Sequence, residues 1–243
     1  MSAAAPRYAL YYAPDAETAL WRFGSSIIGY DAARAADLPV PDLPGFDAES
    51  WHALTAEPRR YGFHGTLKAP FRLAADAGAA ALETAAADLA KTCHPFSLPP
   101  LEAALIGPFV ALVPKVPCPQ LGDLAETVTL GLDPFRAALT PAEIARRRPE
   151  RLSARQAGYL AAHGYPYVRE EFRFHMTLTG PLPEGVRDHA FNALRDAFAG
   201  SGAATPIAVT ELCLFVQPAP GERFRLKRRF PLGGDAPRRA LKY

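Results

Sequence analysis

Two short segments of this 243-residue sequence carry residues whose types and spacing could do chemistry. Tyr61-Gly62-Phe63-His64-Gly65-Thr66-Leu67-Lys68-Ala69-Pro70-Phe71 aligns without gaps on Phe172-Arg173-Phe174-His175-Met176-Thr177-Leu178-Thr179-Gly180-Pro181-Leu182. Both read aromatic, any, Phe, His, any, Thr, Leu, two variable residues, Pro, apolar. Internal similarity of this kind marks a duplicated unit. In a strand, residues two apart share a face, so His64 projects with Thr66 and His175 with Thr177. Phe63 and Leu67, like Phe174 and Leu178, then point the other way and anchor the core. Packing of the halves about a pseudo-twofold axis would bring both His and both Thr into one cleft.

That set suits phosphodiester chemistry. A neutral imidazole accepts a proton from attacking water, a protonated one donates to the leaving oxygen, and two hydroxyls hold non-bridging phosphate oxygens as charge develops. An unperturbed pKa near 6.5 lets two histidines share these opposite states around neutral pH. The scheme requires no metal and no cofactor. A single H-x-T strand is ordinarily a satisfied core histidine beside a strand-favouring threonine. Two copies that keep His and Thr on the same face argue against so plain a role. His52, His94, His163 and His189 have no such context and read as surface or capping residues.

Further candidates flank the motifs. Lys68 and Arg173, each beside a motif, could bind a second phosphate, and Tyr61 and Tyr167 could supply ring stacking. In the last strand Arg223, Arg225, Lys227 and Arg229 alternate with Phe224, Leu226 and Phe230. Such a cationic face is ordinarily solvated or edge-protecting. A functional reading brings one or two of its cations, with Arg225 and Lys227 as candidates, to a second phosphate. Arg146, Arg147, Arg148 and Arg151 read as a solvated helix end.

The elements that must position these residues are legible in outline. The sequence predicts a strand over Arg7 to Ala13 and a helix from about Ala16 to Ile28. A long proline-bearing surface connection follows from Asp37 to Arg60, with one short helix near Trp51. Strands are expected over Tyr61 to Leu67 and Phe172 to Thr179, each followed by an amphipathic helix (about Asp76 to Lys91, Glu184 to Ala199) and two strands. The first strand pair is a hairpin, Glu102 to Ile106 and Phe109 to Val113, turning at Gly107-Pro108. The second runs Ala208 to Gln217 and Arg223 to Phe230. Between the halves lie a helix from about Gln120 to Ala137 and two helices announced by capping boxes at Thr140 and Ser153. The tail from Gly233, with Arg238, Arg239 and Lys242, reads as loose.

Composition narrows the classes. Hydrophobic residues make up 49%, enough to bury a core, and 25 prolines disfavour a coiled coil or helical solenoid. The net charge is only +2, which weighs against nucleic acid as a polymer partner, since phosphate neutralisation dominates such binding. Cys93, Cys118 and Cys213 form no CxxC pair, against a disulfide framework or a cysteine metal site. No signal sequence or membrane-length apolar run is evident. A cytoplasmic monomer without membrane attachment is expected.

The paired H-x-T-L motifs and the unit around them resemble the two-histidine (2H) phosphoesterase superfamily, and within it the DUF1045 proteins of phosphonate metabolism. RYALYYAP, PRRYGFHGTLKAPFRL, LDPFRAAL, GYPYV and EFRFHMTLTGPL carry the likeness across nearly the whole chain. The resemblance implies that His64 and His175 are catalytic and that Thr66 and Thr177 bind phosphate. It implies an α+β, bilobal, duplicated LigT-like fold over residues 1–243, with an antiparallel sheet in each lobe, flanking helices and a central cleft. It also implies a small anionic cyclic-phosphate substrate, 5-phosphoribosyl 1,2-cyclic phosphate, opened to a ribose bisphosphate. RNA ends bearing 2′,3′-cyclic phosphate, as for RNA cyclic phosphodiesterases and 2′-5′ RNA ligases, are the alternative substrate. A non-catalytic module binding phosphate sugars or nucleotides is the alternative of another class.

Overall fold

A computed structural model describes residues 5–233. The expectation of a loose tail carrying Arg238, Arg239 and Lys242 lies outside the described residues. In chain order the elements are β1 (Arg7–Tyr12), α1 (Ala19–Ile28), β2 (Tyr30–Asp31), β3 (Ala36–Asp37), α2 (Ala48–Leu54), α3 (Ala56–Arg59), β4 (Gly65–Arg72), α4 (Ala79–Thr92), β5 (Phe96–Leu98), β6 (Leu101–Ile106) and β7 (Phe109–Pro114). They continue as α5 (Pro119–Gly131), α6 (Pro141–Arg146), α7 (Ala154–His163), β8 (Met176–Thr177), α8 (Glu184–Gly200), β9 (Ile207–Val209), β10 (Glu211–Gln217) and β11 (Arg225–Pro231). Among the described residues no helix is long and apolar enough to cross a membrane.

Local sequence explains the helix ends. The Thr18 hydroxyl accepts from Trp21 N to start α1, and Gly29, in the left-handed conformation, ends it. Both capping boxes form: Thr140 with Glu143 opens α6, and Ser153 with Gln156 opens α7. The connection from Asp37 to Arg60 departs from expectation. It holds two short helices, and Trp51 and Arg59 are buried. Trp51 Nε1 donates to Ile27 O and Arg59 Nε to Ile28 O, so this segment satisfies the open carbonyls at the end of α1.

The fold is α+β. Its main sheet is antiparallel, in the order β11-β10-β1-β4-β8-β7-β6. It divides into a four-strand and a three-strand half that meet where β4 and β8 pair at Gly65 and Met176. The halves exchange their hairpins. β6–β7, which follows β4 in sequence, lies against β8, and β10–β11, which follows β8, lies on the β1–β4 side. Helices follow the same exchange: α4 packs on β10 and β11, and α8 on β6 and β7. A further antiparallel pair, β5 with β9, joins the two halves.

The expected anchors are in the core. Phe63 and Leu178 are fully buried, and Leu67 and Phe174 nearly so. A fully buried side chain of this size contributes roughly 1.5–3 kcal/mol. Gly65 is where the seam closes: a β-carbon there would stand 2.4 Å from the Phe174 ring, so only glycine admits this contact. Both motif strands differ in extent from their sequence prediction. Gly62, at φ 79°, turns the chain before β4, which starts at Gly65 and runs on to Arg72. Around His175 the chain alternates in burial as a strand does, but it pairs as a ladder only at Met176–Thr177.

Candidate active site

The register at the seam has a geometric consequence. Gly65 and Met176 are the same position of the repeated motif, and they are the pair through which β4 and β8 meet. An antiparallel pairing of equivalent residues puts a local twofold axis between them. His64 then faces Thr177 across the seam, and Thr66 faces His175, about 5 Å apart at the β-carbons for directly opposed residues. All four line one cleft of about 730 Å³. A smaller cavity of about 400 Å³ shares Thr66 and His175 with it and continues along Phe172 and Arg173.

The two imidazoles are held alike and housed differently. Nδ1 of His64 donates to Gly62 O (2.8 Å), and Nδ1 of His175 to Arg173 O (2.8 Å), so each ring turns Nε2 to the cleft. With the His64 proton on Nδ1, Nε2 is its lone-pair nitrogen and accepts from the Thr66 hydroxyl at 3.2 Å. Tyr11 stacks on His64, ring centroids 3.7 Å apart. Burial pushes the His64 imidazole down to about 4, against the opposing pull of the Gly62 carbonyl and with a smaller downward push from His175. His175 stands against Phe109, with centroids 5.8 Å apart.

Tyr61 and Tyr167 line the cleft with the four motif residues. Arg173 lies beside His175 in the smaller cavity, where its Nη1 donates to Glu170 O and Phe172 O. Lys68 does not reach either space. Leu10 pairs with Lys68 and Tyr11 with Thr66, so one step along β1 spans two along β4, and the bulge at Leu67 turns Lys68 inward. It is 3% exposed and donates to Thr129 O and Asp133 Oδ1, while Ala69 takes the place in the cleft that strict alternation would give it.

Arg225 and Lys227 are also displaced from the site. They lie on β11, at the sheet edge away from the seam. A bulge at Lys227 breaks the alternation of this strand, and Lys227 and Arg228 both pair with Glu83. Arg223 pairs with Asp37 and Arg229 with Glu211.

Several cleft residues lie outside the sequence-based set: Arg7, Tyr11, Arg147, Arg148 and Tyr165. The 146–151 arginines do form a largely exposed helix end, and two of them, Arg147 and Arg148, also line the cleft. Three arginines followed by proline announce a helix break in the sequence, but not which part of the sheet the break faces. Among the described residues no group of three His, Cys, Asp or Glu side chains is placed to hold a metal ion.

A family model described as "Protein of unknown function (DUF1045)" matches residues 66–225, from the first motif threonine through the whole second motif. The chain belongs to the DUF1045 family. It is the family expected from the paired motifs. This DUF1045 chain is 36% identical over 238 residues to the Ribose 1,5-bisphosphate phosphokinase PhnN of Janthinobacterium sp. (strain Marseille), covering 97% of this chain and 52% of that protein. It is 37% identical over 222 residues to the protein of the same name from Laribacter hongkongensis (strain HLHK9), covering 91% and 51%. The chain thus spans about half the length of the curated relatives it matches. Among solved structures, E. coli LigT complexed with 3'-AMP is similar over 95% of this DUF1045 chain and 99% of its own, at 16% identity and a TM-score of 0.45. The apo form of E. coli LigT gives 94%, 99%, 20% and 0.45.

Proposed function

We propose that this chain is a metal-independent phosphodiesterase that opens a small cyclic phosphodiester by general acid-base catalysis between two histidines. The observation that carries the reading is the convergence of both H-x-T pairs on one cleft about the seam. His64, neutral with its lone pair on Nε2, is the general base. It takes a proton from a water whose oxygen bonds to phosphorus. His175, protonated on Nε2, gives a proton to the ring oxygen as its bond to phosphorus breaks. With substrate bound, the Thr66 hydroxyl turns from His64 Nε2, freeing that lone pair, and with the Thr177 hydroxyl donates to the non-bridging oxygens, which carry the growing charge.

The substrate is 5-phosphoribosyl 1,2-cyclic phosphate. Water added at phosphorus with cleavage of the bond to O2 leaves the phosphate on O1, and the product is ribose 1,5-bisphosphate. That compound is named in the two relatives that this chain matches over half their length. We assign their phosphokinase activity to the half that this chain does not span. A phosphate-cradling kinase loop of the form G-x-x-x-x-G-K-[ST] needs a lysine directly after glycine, and Lys68, Lys91, Lys115, Lys227 and Lys242 each follow another residue.

Phosphorus NMR of the purified protein with a panel of cyclic phosphates tests the reading. Conversion of the phosphoribosyl substrate to the 1,5-bisphosphate is expected, with turnover unaffected by EDTA. His64→Ala and His175→Ala should each lower turnover by about 10²-fold or more. Full activity in either variant would sink the assignment. Preference for RNA-derived 2′,3′-cyclic phosphates would replace the substrate, and unchanged ligand in a stable complex would mark a binding module.

A further inference from the structure

The cations of this molecule are not treated alike. Arg72 pairs with Glu143, Arg136 with Asp133, Arg223 with Asp37 and Arg229 with Glu211. Arg7, Arg147 and Arg148 are among the several cations outside the ion pairs found among the described residues, and these three line the cleft that holds His64 and His175. Among the described residues the lining has one carboxylate, Glu57, and it stands beside Gly180, downstream of the second motif.

Side-chain contacts hold Arg7 and Arg147, and backbone conformation sets the position of Arg148. Arg7 Nε donates to Gln217 Oε1 (2.7 Å), while Gln217 is itself fixed by its Nε2 donating to Glu222 O. The Arg7 guanidinium lies over the Phe224 ring at 5.4 Å, and its outer nitrogens make no hydrogen bond among the described residues. Arg147 lies over the Tyr165 ring at 5.2 Å. Arg148 has φ 49° and ψ 60°, a left-handed conformation disfavoured for any residue with a β-carbon. Pro149 follows it and keeps it out of the right-handed helix. This break ends the helical run after α6 and brings two consecutive arginines to the cleft.

We infer, building on the phosphodiesterase reading above, that Arg7, Arg147 and Arg148 form a second anion subsite that takes a phosphomonoester group of the substrate, separate from the diester being opened. A phosphomonoester carries close to two negative charges near neutral pH and matches the forked donors of guanidinium. Arg7 lies four residues before Tyr11 on β1, about 13 Å at strand rise, and Tyr11 stacks on His64. That separation admits a sugar ring between the two phosphates. Tyr61 and Tyr165 supply walls for it.

The test compares kcat/KM for ribose 1,2-cyclic phosphate with and without a 5-phosphate. The wild-type protein is expected to prefer the phosphorylated form by about 10²-fold, the scale of one or two charged hydrogen bonds. Arg7→Met, and Arg147→Met combined with Arg148→Met, should each reduce that preference by about tenfold or more. Indifference of the wild type to the 5-phosphate, or retention of the preference in folded variants, overturns the subsite. The wild-type comparison decides the matter even where a variant does not fold. Absence of turnover on every cyclic phosphate would count against the catalytic reading alone. Calorimetry with ribose 5-phosphate then tests the subsite directly. Binding weakened about tenfold by the arginine substitutions supports it, whereas no binding, or binding they leave untouched, overturns it.

Discussion

His64 and His175 hold equivalent places in the repeat, and their surroundings make them unequal. Tyr11 covers His64, and burial holds its imidazole at about 4, so this ring is neutral throughout the physiological range. A base must be unprotonated to act, so kcat/KM for ribose 1,2-cyclic phosphate, which lacks the phosphomonoester that itself titrates near 6, should fall only as pH drops through about 4. An unperturbed imidazole would place that acid limb near 6.5. A pH-rate profile measured from 3.5 to 9 checks this, and an acid limb near 6.5 would assign the base to another group. The same shift acts on stability. The folded value lies below the unfolded one, so as pH falls the unfolded chain takes up the proton first. The contribution of the neutral ring is complete above about 6.5 and is lost between there and about 4. Both motif pairs were legible in sequence because strand alternation fixes which face His and Thr share. The cleft arginines were not, because nothing local to Arg7 or to the 146–148 run reports which part of the sheet lies opposite.

At the scale of elements, β4 shows how one extra residue decides a role. Alternation from Thr66 puts Lys68 in the site, and the bulge at Leu67 removes it. Lys68 instead ties β4 to the last turn of α5 through Thr129 O and to the segment after it through Asp133, with Arg136 on the same carboxylate. Lys68→Met should therefore lower stability by about 1–3 kcal/mol, the cost of leaving buried polar partners short of a charged donor, while turnover stays within about twofold. Urea unfolding beside steady-state kinetics separates the two effects. A large fall in turnover at unchanged stability would return Lys68 to the site. Helix starts were readable because a capping box is a contiguous signal, as at Thr140 and Ser153. Bulges were not, since they depend on the partner strand, and β11 was misread for the same reason at Lys227.

For the whole molecule, the duplication could be read from sequence and the exchange of hairpins could not. Sequence order sets β6–β7 beside β4, whereas the fold sets it beside β8, through contacts between distant parts of the chain. Each half of the sheet is thus built from both halves of the sequence. The described chain should consequently unfold in one step. Trp21 and Trp51 both lie in the first half and are buried, so their fluorescence reports that half, while far-UV circular dichroism reports all the elements. Coincident urea transitions from the two probes are expected. Separate midpoints would show that the halves melt independently.

The twofold axis between Gly65 and Met176 is the symmetry of an isologous homodimer, written here into a single polypeptide. In a true dimer every substitution occurs twice, so both imidazoles would have to share one compromise environment. Joining the copies lifts that constraint. Tyr11 can press on one histidine while Phe109 borders the other, and three arginines can enter the cleft without symmetry mates. A symmetric frame thereby gains a direction: a substrate with two unlike ends has one way round to lie.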